Sequence, residues 1–342
     1  MADTPEKLGK VGIVLTGGFL RGAFQAGALQ AFHEHGIRPA YIVGASVGAL
    51  NGAAFAVGKM DTLLSMYTAL APRPSKFLYD WNLHGLLRLF FWSESVLLAT
   101  PLRRLIEKRL GIAELIASDV KMDIITTDFQ SGAAKVFSNK VRAHQDPELL
   151  TNALLASAAM PVVFPPFLYE GHQLFDGGII AANPISHAIR EGCDTVFAIL
   201  TDSQQHMRTS KLFHSVYFIA RRAGNLMSWR VGKKDIERGM EINANLDAYE
   251  KLLHEVTQAV AENTASGQAV LVKEVRKAFS KQRFSFQGKR QVRLVVIEPD
   301  ASEENESYAL FRLVHKTVSG LLAEGHRKTV AAFRELGIAS RN

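Results

Sequence analysis

The sequence predicts an α/β fold with three layers, in which a mainly parallel central sheet lies between two sets of helices. Two short apolar segments, residues 11–16 and 41–43, are each followed by a glycine-rich turn and then by an Ala-rich helical pattern. Nearly continuous apolar runs of this length are typical of strands buried on both faces of a parallel sheet. Further apolar strands at residues 194–200 and 292–297 indicate that the chain returns to the sheet late in the sequence.

The remaining elements are predicted from periodicity and from capping and turn residues. Asp61 is expected to cap the helix that follows it, and Gly111 to end a basic helix opened by Pro101. Helical patterns are found at residues 23–35, 61–70, 101–109, 148–159, 203–242, 246–282 and 308–336. Additional strands are expected at residues 122–128 and 135–137 and in a hairpin over residues 167–175.

The length of 342 residues fits one large α/β domain or two smaller ones. We predict a core over residues 9–202 and a helical extension over residues 203–342. The strand near residues 292–297 is expected to rejoin the sheet, so the extension is assigned to the same domain.

Composition indicates a globular protein, with 47% hydrophobic and 21% charged residues. The net charge of +7 allows nucleic acid, an anionic membrane or acidic substrates as partners. A nucleic-acid binder would rest on charge alone because no recognition motif is present, so no nucleic acid is expected. Nothing in the sequence indicates an oligomeric state.

Several features favour a cytoplasmic location, with peripheral attachment to a membrane left open. Cys193 is the single cysteine, which excludes an intramolecular disulfide and is compatible with a reducing compartment. Asp3 and Glu6 precede any apolar run, unlike the basic head of a secretory signal. The longest apolar run, over residues 153–168, is interrupted by prolines and is too short for a transmembrane segment.

The segment Gly44-Ala45-Ser46-Val47-Gly48 stands where a predicted strand turns sharply into a helix. This strand–turn–helix context is the one in which Gly-x-Ser-x-Gly forms a nucleophile elbow. The two glycines leave room for a strained turn, and the helix that begins behind Ser46 favours negative charge there. Ser46 is therefore a candidate nucleophile.

The loop Gly17-Gly18-Phe19 follows the first strand and could serve a nucleotide phosphate or another anion. Dinucleotide binding requires Gly-x-Gly-x-x-Gly and an acidic residue about 20 positions later. Here Phe19 breaks the pattern and residues 36–40 contain no acid, so this reading is disfavoured. Because both turns follow neighbouring parallel strands, the loop N–H groups are expected to face Ser46 as an oxyanion hole.

A nucleophilic serine needs a base, which is usually a histidine oriented by a carboxylate. None of the 11 histidines stands in a convincing loop after a late strand, and His187, His315 and His326 lie in helical patterns. Asp176, followed by Gly177 and Gly178, is the other candidate. Taken alone, this segment reads as an ordinary Asp-Gly turn.

Four blocks, in this order, resemble those of patatin-like phospholipases. They are the glycine-rich block over residues 15–27, the nucleophile block over 44–48, the block over 156–166, and Asp176-Gly177-Gly178 followed by Asn183-Pro184. The resemblance covers about residues 9–202 and implies a patatin-like catalytic core.

The resemblance implies a lipid acyl hydrolase of the phospholipase A or lysophospholipase type that uses a Ser–Asp dyad and neither metal nor cofactor. Ser46 would attack the ester carbonyl, Asp176 would take its proton, and the loop at Gly17, Gly18 and Phe19 would bind the oxyanion. Arg21 and Gly22 would support that loop. Phe19 stands where the family usually has a third glycine. A positive φ there would strain a phenylalanine, whereas a negative φ would let it contact the acyl chain.

The expected partner is a phospholipid or another lipid ester. Two stretches are candidate lipid contacts. The aromatic residues of 77–92 could form a lid over the site or could belong to the core. The basic residues of 203–241 could contact an anionic membrane or could form a solvated helix face. The aromatic residues are Phe77, Tyr79, Trp81, Phe90, Phe91 and Trp92. Two alternatives stay open, an acyltransferase that uses the same serine and a non-catalytic lipid-binding protein.

Overall fold

A mainly parallel sheet runs through the middle of the molecule. The computed structural model describes residues 8–70, 80–81, 97–181, 184–203, 212, 214, 216–262, 273, 277, 290–300 and 315–339. The strands are β1 Val11–Leu15, β2 Tyr41–Ala45, β3 Asp80–Trp81, β4 Leu97–Leu98, β5 Lys121–Asp128, β6 Ala133–Ser138, β7 Phe167–Tyr169, β8 His172–Asp176, β9 Thr195–Ile199 and β10 Arg293–Ile297. The helices are α1 Gly22–Glu34, α2 Val47–Ala56, α3 Met60–Leu70, α4 Thr100–Leu105, α5 Ile112–Ala117, α6 Pro147–Ser157, α7 Ile185–Arg190, α8 Val216–Glu262 and α9 His315–Glu335.

The strand order of the main sheet is β10-β9-β1-β2-β5-β8-β7, and β6 also pairs with β5. The five strands β10, β9, β1, β2 and β5 are parallel, whereas β6, β7 and β8 pair in antiparallel fashion. Strands β3 and β4 form a separate two-stranded ribbon. β10 lies beside β9 at the edge of the sheet. The division of the chain at residue 202 stays a prediction.

Alternate residues of the central strands face two different cores, which confirms the three-layer α/β/α prediction. In β9, Phe197 packs in a core with α1, α2, α6 and α9, whereas Val196 and Ala198 pack in a core with α7 and α8. Phe197 meets Phe32 of α1 edge to face at 5.0 Å, and Phe32 meets Phe333 of α9 at 4.8 Å. Burial of each such ring stabilises the fold by roughly 1.5–3 kcal/mol.

Helix α8 is continuous where the sequence predicted two helices separated at residues 243–245. The gap contains Asn243 and Asn245, and asparagine is a weak helix former. In the structure the Asn243 amide donates to the Val292 carbonyl at 2.6 Å and accepts from the Val292 N–H at 3.2 Å. These contacts with the segment before β10 offset the low propensity. Residues 263–282 of the predicted second helix lie largely outside the described residues.

The predicted cap of α3 is wrong by two positions, because Lys59 and not Asp61 precedes the first helical residue. The helix begins at Met60, and the carbonyl of Lys59 already accepts from the Leu63 N–H, so Asp61 lies inside the first turn. Burial of Met60 in the core draws this residue into the helix. The Asp61 carboxylate still lies at the positive end of the helix dipole.

The basic helix predicted over residues 101–109 begins at Thr100, and its last turn, Ile106–Leu110, is π-helical. Gly111 ends it with a φ of 68°, as expected for a left-handed cap. The aromatic residues predicted as a lid lie outside the described residues, apart from Trp81 in β3. In the part of the chain that the structure describes, no helix is long and apolar enough to cross a membrane.

Candidate active site

Sheet register brings Ser46 and Asp176 to the same level. Ala45, the last residue of β2, pairs with Ile125 of β5, and the next residue of β5, Thr126, pairs with Asp176. Ser46 follows Ala45 and therefore lies level with Asp176. The aspartate reaches this level at the end of the antiparallel strand β8, whereas the serine follows a parallel strand.

Ser46 has the backbone conformation of a strained elbow, with φ 57° and ψ −131°, immediately before α2. The glycines on either side allow close backbone contacts. A Cβ added at Gly48 would lie 2.4 Å from the Leu15 carbonyl oxygen, and one at Gly44 would lie 2.6 Å from the Ala49 nitrogen. The turn therefore has the geometry that the Gly-x-Ser-x-Gly pattern predicted.

The Ser46 hydroxyl and the Asp176 carboxylate lie close enough to interact, and this interaction lowers the pKa of the carboxyl group. The same carboxylate accepts a hydrogen bond from the Gly178 N–H, with 2.7 Å between that nitrogen and Oδ1. Burial raises the pKa of Asp176 to about 6, while the interactions with Ser46 and Gly178 act in the opposite direction. A carboxylate with this pKa is a far better proton acceptor at neutral pH than an ordinary aspartate.

Backbone contacts hold Asp176 in place. Its N–H donates to the Ala159 carbonyl at 2.9 Å, and its carbonyl accepts from Thr127 Oγ1 at 2.8 Å. After it, Gly177 packs against β5 so closely that an added Cβ would lie 2.2 Å from the Ile125 carbonyl oxygen. The Asp-Gly-Gly turn is thus fixed to the sheet at both ends.

Ser157 is hydrogen-bonded to the backbone of the turn at Ser46. Its Oγ accepts from the Ser46 N–H at 2.9 Å and donates to the Ile125 carbonyl at 2.6 Å, and the residue is completely buried. The N–H of Ser46 is therefore already engaged and is not directed at a ligand. Ser157 lies in the block over residues 156–166, but no feature of the sequence indicated a role for it.

The glycine loop passes directly beside the serine. A Cβ added at Gly17 would lie 3.7 Å from Ser46 Oγ. Phe19 has a φ of 55°, the positive value that strains a residue with a side chain. Among the hydrogen bonds of the described residues, none has the N–H of Gly17, Gly18 or Phe19 as its donor. These three N–H groups are therefore available to an anion.

The Phe19 side chain belongs to the apolar surroundings of the site. It packs against a small buried cluster next to the aspartate, which consists of Ala159, Val163, Phe164 and Phe175. The neighbouring residue Val162 is a further strained position, with φ 70°, and is 63% exposed. A buried apolar cluster thus lies next to Asp176.

Arg21 and Gly22 hold the far side of the loop. Arg21 Nε donates to the Gly18 carbonyl at 3.3 Å, and the guanidinium forms an ion pair with Asp202. The Gly22 carbonyl accepts from Asn51 Nδ2 at 3.0 Å. Both residues therefore have contacts at the end of the loop, and their supporting role stays a prediction.

A buried polar network behind the loop was not predicted. Gln25 Nε2 donates to the carbonyls of Thr16 and Ile199, at 2.9 and 3.0 Å, and so links the ends of β1 and β9. Asn51 donates to the Gln25 side chain and accepts from Tyr67. The one available signal was a polar glutamine within an otherwise apolar helix face.

The histidines are not part of this arrangement. No histidine of the described residues hydrogen-bonds to Ser46 or Asp176. His326 bonds to Glu34 at 2.6 Å, and His172 bonds to Asp128 at 2.8 Å. Burial, with a contribution from Arg190, lowers the pKa of His187.

Residues 13–189, more than half of the chain, match the family model of patatin-like phospholipases. The protein "Lysophospholipase nte1" of Aspergillus terreus is 28% identical over 189 residues, which are 55% of this chain and 12% of that protein. An "Uncharacterized NTE family protein" of Mycobacterium tuberculosis is 29% identical over 193 residues, which are 56% of this chain and 48% of that protein. The matched segment therefore spans a small part of the fungal relative and about half of the mycobacterial one.

Among solved structures, VipD from Legionella pneumophila is similar, with a TM-score of 0.47 and 14% sequence identity. The similarity covers 97% of this chain and 68% of that one.

Proposed function

Because the chain belongs to the patatin-like phospholipase family, we propose that it is a lipid acyl hydrolase of the phospholipase A or lysophospholipase type. Ser46 is the nucleophile and Asp176 the base. The observation that carries this proposal is the placement of Ser46 level with Asp176 in the sheet, where the hydroxyl interacts with a carboxyl group whose pKa is raised to about 6.

In the first step Ser46 Oγ attacks the ester carbonyl carbon while Asp176 accepts the hydroxyl proton. The carbonyl oxygen becomes an oxyanion, and the N–H groups of Gly17, Gly18 and Phe19 are its donors. Each such donor contributes on the order of 3 kcal/mol to the transition state in other enzymes. When the tetrahedral intermediate collapses, the alcohol leaves with the proton from Asp176, and the acyl group remains on Ser46.

In the second step water attacks the acyl–Ser46 ester and Asp176 accepts a proton from it. Collapse of this second intermediate releases the fatty acid and returns the proton to Ser46 Oγ. A base with a pKa near 6 suits both steps at neutral pH, because it is mostly ionised yet still accepts a proton readily. Asp176 therefore serves as base and acid in turn.

A lipid acyl chain suits the surroundings of Ser46. The buried cluster next to Asp176, with Phe19 and Met160 packed against it, offers an apolar wall. The positive φ of Phe19 lets its backbone follow the path that a glycine would take. This conformation favours a working oxyanion loop over the non-catalytic lipid-binding alternative.

We also propose that the protein works at an anionic membrane surface. Arg230, Lys234 and Arg238 are exposed and follow one another at intervals of one turn along α8, so they form a basic row on one face. Helix α8 packs against the turn Gly177–Ile179 that follows Asp176. The row is thus on an element that contacts the proposed site, and it attracts anionic lipid headgroups.

The test is product analysis with phosphatidylcholine and lysophosphatidylcholine, using the wild type and Ser46→Ala. We expect free fatty acid from the wild type and none above background from the variant. The same assay with added glycerol distinguishes hydrolysis from acyl transfer, since a transferase would form acylglycerol. Equal fatty acid release by Ser46→Ala would refute the proposed nucleophile.

A further inference from the structure

We propose that Thr201 and Asp202 are positioning residues that aim the glycine loop at the reacting ester. They act by holding the carbonyls of Gly17 and Gly18 away from Ser46. This inference rests on the proposed function, and neither residue contacts the reacting atoms.

Register places Thr201 beside the loop. Leu15 pairs with Ile199 of β9, and the parallel register continued by two residues sets Thr201 next to Gly17. The Thr201 N–H donates to Thr16 Oγ1 at 3.1 Å, and its hydroxyl donates to the Gly17 carbonyl. The end of β9 is thereby bonded to the start of the glycine loop.

Asp202 acts on the next peptide through Arg21. The carboxylate forms an ion pair with the guanidinium, and Arg21 Nε donates to the Gly18 carbonyl. The Arg21 backbone N–H donates to the same carbonyl at 3.1 Å. Both loop carbonyls are therefore occupied by protein donors.

The direction of the carbonyls sets the direction of the N–H groups. In a trans peptide the C=O and N–H bonds point to opposite sides. Strand β1 lies between β9 and β2, so a Gly17 carbonyl bound to Thr201 directs the Gly18 N–H toward Ser46. By the same geometry, fixing the Gly18 carbonyl fixes the Phe19 N–H, and neither N–H has a donor contact within the described residues.

A Gly–Gly peptide needs such restraint because both residues tolerate a wide range of backbone angles. A flipped peptide would point its carbonyl at the oxyanion and repel it. Gly18 is also required for the contact, because an added Cβ would lie 2.2 Å from Thr201 Oγ1. Thr201 thus packs against the glycine whose N–H it orients.

The opposite end of β9 provides matched controls. There Thr195 Oγ1 donates to the Leu8 carbonyl at 2.7 Å, and Asp194 accepts from the Lys10 N–H at 2.7 Å. A threonine and an aspartate therefore also connect the N-terminal end of β1 to the start of β9, at the end of these strands opposite to Ser46. Changes there remove equivalent hydrogen bonds without touching the loop.

The experiment compares Thr201→Val and Asp202→Asn with Thr195→Val and Asp194→Asn, using a soluble short-chain ester. Loss of one oxyanion donor lowers kcat by about 10²–10³-fold. We expect the two loop variants to lose roughly 10-fold or more of kcat with KM within about twofold. Affinity for a trifluoromethyl ketone, which forms a tetrahedral oxyanion on the serine, should fall by a similar factor. Thr201→Ser, which keeps the hydroxyl, should have wild-type kcat and wild-type affinity for the trifluoromethyl ketone.

The two control variants should lower Tm while keeping kcat within about twofold of the wild type. Wild-type kcat in Thr201→Val and Asp202→Asn would overturn the inference. It would also be overturned if Thr195→Val and Asp194→Asn lost as much kcat as the two loop variants. Should Thr201→Val fail to fold, Asp202→Asn carries the same test. Undiminished activity of Ser46→Ala would instead refute the proposed function itself.

Discussion

The hydroxyl of Ser46 and the carboxylate of Asp176 lie close enough to interact although they come from distant parts of the chain. Two features of the environment act on this pair in opposite directions. Burial favours the neutral acid, whereas the donors Ser46 and Gly178 favour the carboxylate, and burial is the stronger effect. The net result is a carboxyl group that changes its protonation state close to neutral pH.

Ester hydrolysis should therefore depend on pH through Asp176. Below its pKa the carboxyl group is protonated and cannot accept the Ser46 proton, so kcat/KM should rise with pH, reach half its maximum near pH 6 and level off above pH 7. The measurement is kcat/KM for a soluble ester between pH 4.5 and 8.5. Asp128→Asn is the control and should keep the wild-type pH profile. Hydrogen bonds from Ser131 and from backbone N–H groups lower the pKa of Asp128 to about 2, so this carboxylate stays ionised over the whole range. A flat profile, or a midpoint near pH 4, would contradict the assignment.

The stability of the folded protein should also depend on pH through Asp176, but its contribution to stability should fall as pH rises. The folded-state pKa of Asp176 lies above its unfolded value, so this group favours folding below about pH 4 and ceases to do so as pH rises through 6. Asp176→Asn lacks this dependence. Its free energy of unfolding relative to the wild type should rise between pH 4 and pH 7 by at most about 3 kcal/mol, and its Tm relative to the wild type should rise in parallel. If the Tm of Asp176→Asn relative to the wild type is constant or falls over this pH range, the ionised Asp176 carboxylate does not destabilise the folded state.

Much of the site could be predicted because its parts are local. Gly44, Ser46 and Gly48 form one turn, and Asp176 with its two glycines forms another, so each leaves a short pattern in the sequence. The meeting of Ser46 and Asp176 followed from the resemblance to the family, and the pairing of β8 with β5 supplies its physical reason.

The residues that support the site were missed because their roles depend on contacts between distant segments. Ser157 reaches the Ser46 N–H from α6, and Thr201 reaches the Gly17 carbonyl from β9. Nothing next to either residue in the sequence indicates its partner. The unbroken α8 was missed for the same reason, since the bonds of Asn243 to Val292 compensate for its weak helix propensity.

Phe19 offers a test of backbone strain at the loop. If its φ stays positive, Phe19→Gly relieves the strain and Phe19→Ala does not, although both remove the same packing contacts apart from one methyl group. Phe19→Gly should therefore be more stable than Phe19→Ala by about 1 kcal/mol in urea unfolding. Glu170, with φ 51° in the β7–β8 turn, is the control position, where Gly should exceed Ala by a similar amount. An alanine variant at 19 as stable as the glycine variant would exclude the left-handed conformation.

Membrane attachment through α8 should depend on charge and salt. Changing Arg230, Lys234 and Arg238 to Gln should lower binding to phosphatidylglycerol-containing vesicles by roughly 10²-fold, at about 1 kcal/mol for each charge. Sedimentation with vesicles at two salt concentrations measures this. A matched control changes three exposed cations at α4 and the π-helical turn, Arg104, Lys108 and Arg109, so that net charge falls equally. Equal loss in both triple variants would mean that overall charge, rather than this row, governs binding.

The role of Asp176 as the base for Ser46 is tested most directly by the rate at which a fluorophosphonate probe labels the serine. Mass spectrometry locates the label, and Asp128→Asn serves as a control for the loss of a nearby carboxylate in the same sheet. We predict labelling at Ser46 in the wild type and in Asp128→Asn at similar rates, with a rate about 10²–10⁴-fold lower in Asp176→Asn. Labelling of Asp176→Asn at the wild-type rate, or at a residue other than Ser46, would contradict the account.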